Sequence, residues 1–222
     1  MSTTKPTPTV EDYLGIIYTL ERDGEPVIGA RLAEWLEVSA PTVTVTLKRM
    51  IRDGWITMNE RKEISLSPTG RDAARMVIRQ HMLTELLLAQ VLGVPWSMVH
   101  EEAHRVEHGW SSKTVERMAA VLDNPASCPH GNPLPNHESS ATFLVPLVDA
   151  CAGREWVVAR IHERAEQNPE LMTFLEKQGV VPGARVWVES VAALNETVSL
   201  RVDDTPVVLG LAVAKHISVR ES

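Results

Sequence analysis

Apolar residues recur at helical spacing from Val10 to Glu21, through Val10, Tyr13, Leu14, Ile17 and Leu20, and the pattern stops at Asp23-Gly24. Ile28 to Leu36 predicts a second, short helix. Ser39-Ala40-Pro41 supplies an N-cap with proline in the first turn, and a third helix follows through Thr42, Leu47, Met50 and Ile51 to Asp53-Gly54. The pattern then becomes that of short strands: Trp55 to Met58 and Ile64 to Leu66 flank a charged tip, Asn59 to Glu63. Three helices with a short turn, Glu37-Val38-Ser39, and a small hairpin are the order of a winged helix-turn-helix. An ordinary three-helix packing unit is the plainer alternative.

Further along, Ser67-Pro68-Thr69 opens a long helix running to about Leu92 before Gly93, and Pro95 to Gly109 and Ser111 to Leu122 predict two more. The Leu-, Met- and Ala-rich long helix suits a dimer interface, and equally a single-chain core. Asn124 to Ser140 is rich in Pro, Asn, Ser and Gly and reads as a connector. Beyond it come β-rich runs at Trp156 to Ile161, Arg185 to Val191, Thr197 to Val202 and Val207 to Leu211, with a helix from Pro169 to Gln178. These predict a small β-barrel-like domain without a catalytic motif. The expected division is a DNA-binding unit over 1–75, a helical metal-binding and dimerisation unit over 76–140 and a β domain over 141–222, mainly α with small β.

Charge sharpens this picture. The chain of 222 residues carries a net charge of −7, yet Lys48, Arg49, Arg52, Arg61 and Lys62 against Asp53 and Glu60 make the stretch 48–62 locally positive. A basic face on an acidic protein fits salt-dependent DNA binding. Thr42, Thr44, Thr46, Lys48 and Arg49 are expected on the exposed face of the third helix. Ser39, Pro41 and Val45 adjoin them, and Arg61 and Lys62 come from the hairpin tip. Short hydroxyls and methyls can approach base edges, and the cations meet phosphates. The polar, proline-bearing start, Met1 to Thr9, lacks a signal peptide's apolar core, and no apolar run is long enough to span a bilayer, so a cytoplasmic chain without a membrane partner is expected. Its two cysteines, Cys128 and Cys151, would then be reduced, which makes a thiolate ligand at least as good a reading as a disulfide.

The chemistry is concentrated in one stretch. His100, His104 and His108 stand at i, i+4 and i+8, which on one helix gives a face of three imidazoles, with Glu107 one turn from His104. Imidazole and carboxylate at such spacing are transition-metal ligands. His81 and Glu85 lie four apart on the preceding helix. Cys128-Pro129-His130 occupies the connector, with Gly131 letting the chain bend; a turn with a buried thiol is the alternative there. Residues 104–108 also spell H-x-x-E-H, the inverted zinc-protease string, in which the Glu is a general base. A zinc metalloenzyme is therefore one rival reading. A winged-helix regulator of a small molecule, with structural histidines, is another.

Taken together, these motifs resemble the diphtheria-toxin-repressor family (DtxR/MntR), iron- and manganese-dependent transcriptional repressors. The resemblance runs through Thr9-Val10-Glu11-Asp12-Tyr13-Leu14, Ser39-Ala40-Pro41-Thr42-Val43, Ser67-Pro68-Thr69-Gly70, Arg79-Gln80-His81, His100 to His108 and Cys128-Pro129-His130-Gly131-Asn132-Pro133. It implies an SH3-like (FeoA-like) C-terminal domain, a homodimer, a palindromic double-stranded operator and a divalent corepressor. It also implies one ligand set of Asp12, His104, Glu107 and His108. Asp12 is similar to manganese-type members, where iron-type members use Met, but His104 matches neither type. Gly15 stands where manganese-type members place a second acid. A second set would use His81, Glu85 and His100, or, as in streptococcal manganese-type members, Glu85, Cys128, His130 and an acid of the C-terminal domain, here Glu163. Mn(II) is the expected ion and Fe(II) the alternative, with Zn(II) or Co(II) binding in vitro. The implied mechanism is that metal fixes two recognition helices at the spacing of successive major grooves, about 34–36 Å.

Overall fold

A computed structural model describes residues 5–138 and 144–222. The first four residues of the polar start, and Ser139-Ser140 at the end of the expected connector, lie outside the described residues. The chain forms two compact units, one ending at Gln80 and the other beginning at His81.

In the first unit, helices α1 (Pro8–Arg22), α2 (Gly29–Trp35) and α3 (Ala40–Arg52) precede a hairpin of β1 (Ile56–Met58) and β2 (Ile64–Leu66). The start of α3 is set by Ser39, whose extended backbone turns its hydroxyl to accept from Thr42 N at 3.4 Å, with Pro41 in the first turn. Leu14, Ile17, Leu32, Met50 and Ile56 are at most 2% exposed and form the core. Each such side chain contributes about 1.5–3 kcal/mol by leaving water. The hairpin pairs Ile56 with Leu66 and Met58 with Ile64, which turns Ile56, Ile64 and Leu66 inward and Thr57 and Ser65 outward. Ser67 locks the next helix onto the hairpin: its hydroxyl donates to Gly54 O at 2.7 Å and accepts from Gly70 N at 2.9 Å. Any Cβ at Gly70 would collide with the Trp55 carbonyl, so the motif needs glycine there.

Helix α4 (Pro68–Leu86) crosses the boundary and widens into a π turn at Leu87–Val91, where the sequence pattern predicts plain α-helix to Leu92. The predicted Pro95 to Gly109 helix is divided. A 3₁₀ turn at Trp96–Met98 leads into α5 (Val99–Val106), and a second 3₁₀ turn, Glu107–Gly109, ends it. α6 (Ser112–Val121) begins at Ser111, which accepts from Thr114 N at 3.2 Å.

The C-terminal part is a six-stranded antiparallel sheet in the order β3-β8-β4-β5-β6-β7: β3 (Val145–Pro146), β4 (Arg154–Ile161), β5 (Arg185–Ala192), β6 (Thr197–Val202), β7 (Thr205–Gly210) and β8 (Ile217–Glu221). Among the described residues no ladder joins β3 to β7, so the expected barrel is an open sheet. Register shifts at Val158/Arg160 and Val188/Ser190 bend it around a core that includes Val158, Val186, Val188, Leu200 and Ile217. Helices α7 (Glu163–Glu166), α8 (Pro169–Lys177) and α9 (Leu211–Ala214) complete the domain. Strands β3 and β8 and helices α7 and α9 are not evident in the sequence pattern. Leu211, predicted at a strand end, opens α9. Among the described residues no helix is long and apolar enough to cross a membrane.

Candidate nucleic-acid face and metal centre

On α3, Thr42, Thr44, Val45, Lys48 and Arg49 are exposed, and Ser39 and Pro41 flank them at its start. Val45 is 70% exposed, an apolar side chain set between two threonines that can meet a thymine methyl. Arg61 and Lys62 stand exposed at the hairpin tip. Thr46 departs from the expected face: it is 8% exposed, and its hydroxyl donates to Thr42 O at 3.1 Å. The reason is helical phase, since Val43, Thr46, Leu47 and Met50 share the buried side of α3.

Asp12 lies half-buried on α1 of the first unit. The second unit holds the remaining ligand candidates, with Glu163 near Cys128 and His108 at the edge beside Glu107. His81 and Glu85 come from the last two turns of α4, and His100 and His104 from α5. Glu107 lies in the following 3₁₀ turn, and Cys128 and His130 in the connector. Glu166 of α7 joins them; the sequence reading assigned this position to Glu163. Glu163 instead accepts from the buried Arg160 at 3.0 Å. No periodicity marks Glu166, because α7 is only four residues long and approaches from the C-terminal domain.

The three-imidazole face is also built differently. His100 and His104 pack with ring centroids 4.7 Å apart, but the third ring is His81, 4.9 Å and 4.6 Å from them. The tighter 3₁₀ winding carries His108 out of phase with α5. His108 Nε2 is 3.7 Å from Glu107 Oε1.

The cluster is mostly buried and densely paired, with His104 at its exposed edge. Glu85, Glu107, Glu166 and His130 are at most 4% exposed. His81 Nδ1 meets Glu107 Oε2 at 2.6 Å, and His104 Nδ1 meets Glu107 Oε1 at 3.0 Å. His81 Nε2 and His100 Nδ1 each lie 3.0 Å from Glu85 Oε1. Burial opposes charge on these groups; the pairings overcome it at His81, Glu85, His100, Glu107 and His130, whereas at His104 burial prevails and holds the imidazole below its ordinary value. Against burial, Glu85 and Glu107 hold His81 protonated well above the ordinary range. Burial likewise disfavours charge on His130, but Glu166 and Glu85 raise it to about 9. Burial alone would raise Glu107, but His104 and His81 hold it well below the usual carboxylate range. The Cys128 thiol is pushed up by burial and by the nearby Glu85, Glu166 and Glu163. Both cysteines are free. Within the cluster, Glu85 Oε2 and His130 Nδ1 are buried without a hydrogen-bond partner among the described residues, His130 Nδ1 lying 3.4 Å from Glu166 Oε1 as an ion pair. A buried carboxylate oxygen without a partner, Glu85 Oε2, beside imidazole, carboxylate and thiol groups fits a divalent transition-metal ion.

Comparison with known proteins agrees with this geometry. The description "Iron dependent repressor, N-terminal DNA binding domain" matches residues 5–64, and "Iron dependent repressor, metal binding and dimerisation domain" matches residues 67–136. Residues 145–221 match the FeoA domain. The iron-dependent repressor IdeR of Mycobacterium leprae is 40% identical over 84% of this chain and 86% of its own length. The diphtheria toxin repressor of Corynebacterium diphtheriae is 42% identical, covering 81% of this chain and 84% of its own. Among solved structures, a manganese-dependent transcriptional repressor in complex with manganese is 28% identical with a TM-score of 0.84, covering 96% of this chain and all of that one. ScaR with bound Cd²⁺ is also 28% identical, with a TM-score of 0.81 over 98% of this chain and all of that one.

Proposed function

The chain belongs to the diphtheria-toxin-repressor family of iron-dependent repressors, and from that premise we propose how its own residues couple metal to DNA. It is a metal-dependent, DNA-binding transcriptional repressor and not an enzyme. The buried cluster of carboxylates and imidazoles, with Glu85 Oε2 left without a partner, supports the metal-dependent half of this reading most directly.

We assign the corepressor ligands to Asp12, His104, Glu107 and His108, and an ancillary set to His81, Glu85, His100 and Glu166. A bound ion supplies the positive charge that the buried carboxylates otherwise draw from protonated imidazoles. Glu107 positions both His81 and His104 by accepting from each ring. That role also explains why the H-x-x-E-H string is not a hydrolytic motif here: its glutamate is buried and accepts from two histidines. The carboxylate-rich corepressor set favours Mn(II), with Fe(II) next. Zn(II) and Co(II) bind at least as tightly in vitro by the general affinity order, so affinity alone does not name the ion. On the DNA side, the exposed α3 residues read base edges and phosphates, and Arg61 and Lys62 contact the backbone. The cytoplasmic homodimer reads a palindromic operator, one half-site per copy.

The test is an anisotropy titration on native upstream DNA with chelated protein, then with Mn(II) or Fe(II) added anaerobically. Binding that appears only with metal supports the reading and ranks the two ions. The Asp12→Ala variant should lose metal-dependent DNA binding and keep the dimer. Metal-dependent binding retained in that variant would refute the ligand assignment.

A further inference from the structure

Each hydroxyl at the start of α3 is already engaged by the helix itself. Ser39 Oγ accepts from Thr42 N at 3.4 Å and pairs with Thr42 Oγ1 at 2.8 Å. Thr44 Oγ1 donates to Ala40 O at 2.9 Å, the back-bond to the preceding turn that threonine makes inside helices. Thr46 is buried and donates to Thr42 O in the same way. A threonine whose Oγ1 is turned back onto the helix offers its methyl outward, and Ala40 and Pro41, both exposed, add no polar side-chain atom. The face that α3 leaves to a partner is therefore largely hydrocarbon.

Val45 is the centre of that face. It is 70% exposed and stands one turn from Pro41 and Thr42 on one side and from Lys48 and Arg49 on the other. From Ala40 to Arg52 the helix holds no Asn, Gln, Asp or Glu, the side chains that read adenine or cytosine by hydrogen bonds. The N-terminal part of a recognition helix meets base edges, here Ser39 to Val45. Lys48 and Arg49 follow one turn later and bring positive charge to the phosphates. In the major groove the one methyl group on a base edge is the C5-methyl of thymine.

We infer that this repressor selects its operator through thymine methyls, with Val45 the specificity-determining side chain and the Thr42 and Thr44 methyls framing the contact. This deepens the DNA-binding reading, on which it rests, by naming the base and the atom that the face of α3 recognises. Valine suits the task because its branched Cβ holds one rotamer in a helix, so little side-chain freedom is lost on contact. Burying one methyl group is worth about a fourfold change in affinity. Cytosine in thymine's place would set its N4 donor against hydrocarbon and strip it of water.

The experiment measures anisotropy of the full chain, with the ion that supports binding, on native upstream DNA amplified with thymidine or with deoxyuridine, which lacks only the C5-methyl. Wild type should bind the deoxyuridine duplex at least about fifteenfold more weakly, about fourfold for one methyl in each half-site of a dimer's operator. Val45→Ala, a change that an exposed helix position accepts, should lose a similar factor on the thymidine duplex and less than about threefold more on deoxyuridine. It should keep the wild-type salt slope, because no phosphate contact is touched. Val45→Ile should retain the discrimination. Equal binding of the two duplexes by wild type removes the methyl as the signal and overturns the inference. Equal discrimination by wild type and Val45→Ala assigns the effect to the altered DNA, removes Val45 as the reader and also overturns it. Failure here is separable from failure of the repressor reading. Metal-dependent binding without discrimination sinks only the methyl readout, and discrimination that persists undiminished in chelated protein sinks only the corepressor mechanism.

Discussion

Replacing Gly131 with alanine tests how the connector presents Cys128 and His130. Gly131 has φ +84°, a left-handed conformation that costs a residue with a Cβ about 1–2 kcal/mol. The added methyl would also collide with the Ala159 carbonyl oxygen and lie 3.0 Å from both the Ala159 carbonyl carbon and the Arg160 Cα. All three are backbone atoms at the β4 bulge, so no side chain can swing aside. The loop must withdraw, which endangers the Ile161 N–H bond to His130 O at 2.8 Å and the Cys128 N–H bond to Asn132 O at 2.9 Å. Losing one or two such bonds adds about 0.5–1.5 kcal/mol each, for a total of about 1.5–5 kcal/mol. Gly153 provides the control: it has φ +74°, and nothing lies within 4 Å of its would-be Cβ, so Gly153→Ala should cost only the backbone strain of about 1–2 kcal/mol. Urea unfolding of the chelated protein measures both. If the two alanine variants are equally destabilised, the collision has no energetic consequence and the close approach of the connector to β4 is wrong.

Three further outcomes are expected. Lys48→Ala should weaken DNA binding at all sequences and reduce the salt slope by about one unit, as expected for one lost phosphate contact; an unchanged slope would remove Lys48 from the backbone-contacting set. Thr46→Arg should act as a core mutation, lowering unfolding stability by about 1–3 kcal/mol, whereas a variant of full stability with stronger DNA binding would contradict its burial. His216 is pulled down to about 4 by burial and by Lys215, His162 and Arg164, below the ordinary value of about 6.5 for an unfolded histidine. Its neutral form therefore contributes stability that is fully present above about pH 6.5 and lost as pH falls toward 4, so the urea midpoint of wild type should drop more steeply from pH 7 to 5 than that of His216→Gln; parallel curves would refute this.

Hydrophobic period and local chemistry alone made the winged helix legible. The cap at Ser39, the apolar spacing through α1 and α3 and the short strands around Asn59–Glu63 are local signals, and the fold follows them to within a residue or two. The same holds for His81–Glu85, a pair set four apart within one helix. Tertiary structure decided the rest, because the deciding contacts join residues far apart in the chain. The tightening of α5 into a 3₁₀ turn at Glu107 takes His108 off the face that spacing predicts and leaves His81, from another helix, as the third ring. Thr46 turns inward because α3 must bury one side, a phase the threonine-rich sequence does not reveal. Glu166 faces the buried imidazoles, while Glu163, near Cys128, accepts from the buried Arg160. Sequence determined which chemical groups exist and which short-range elements carry them. Only packing determined which buried charges face one another, since that depends on the shared desolvation of groups brought together from α4, α5, the connector and the C-terminal domain.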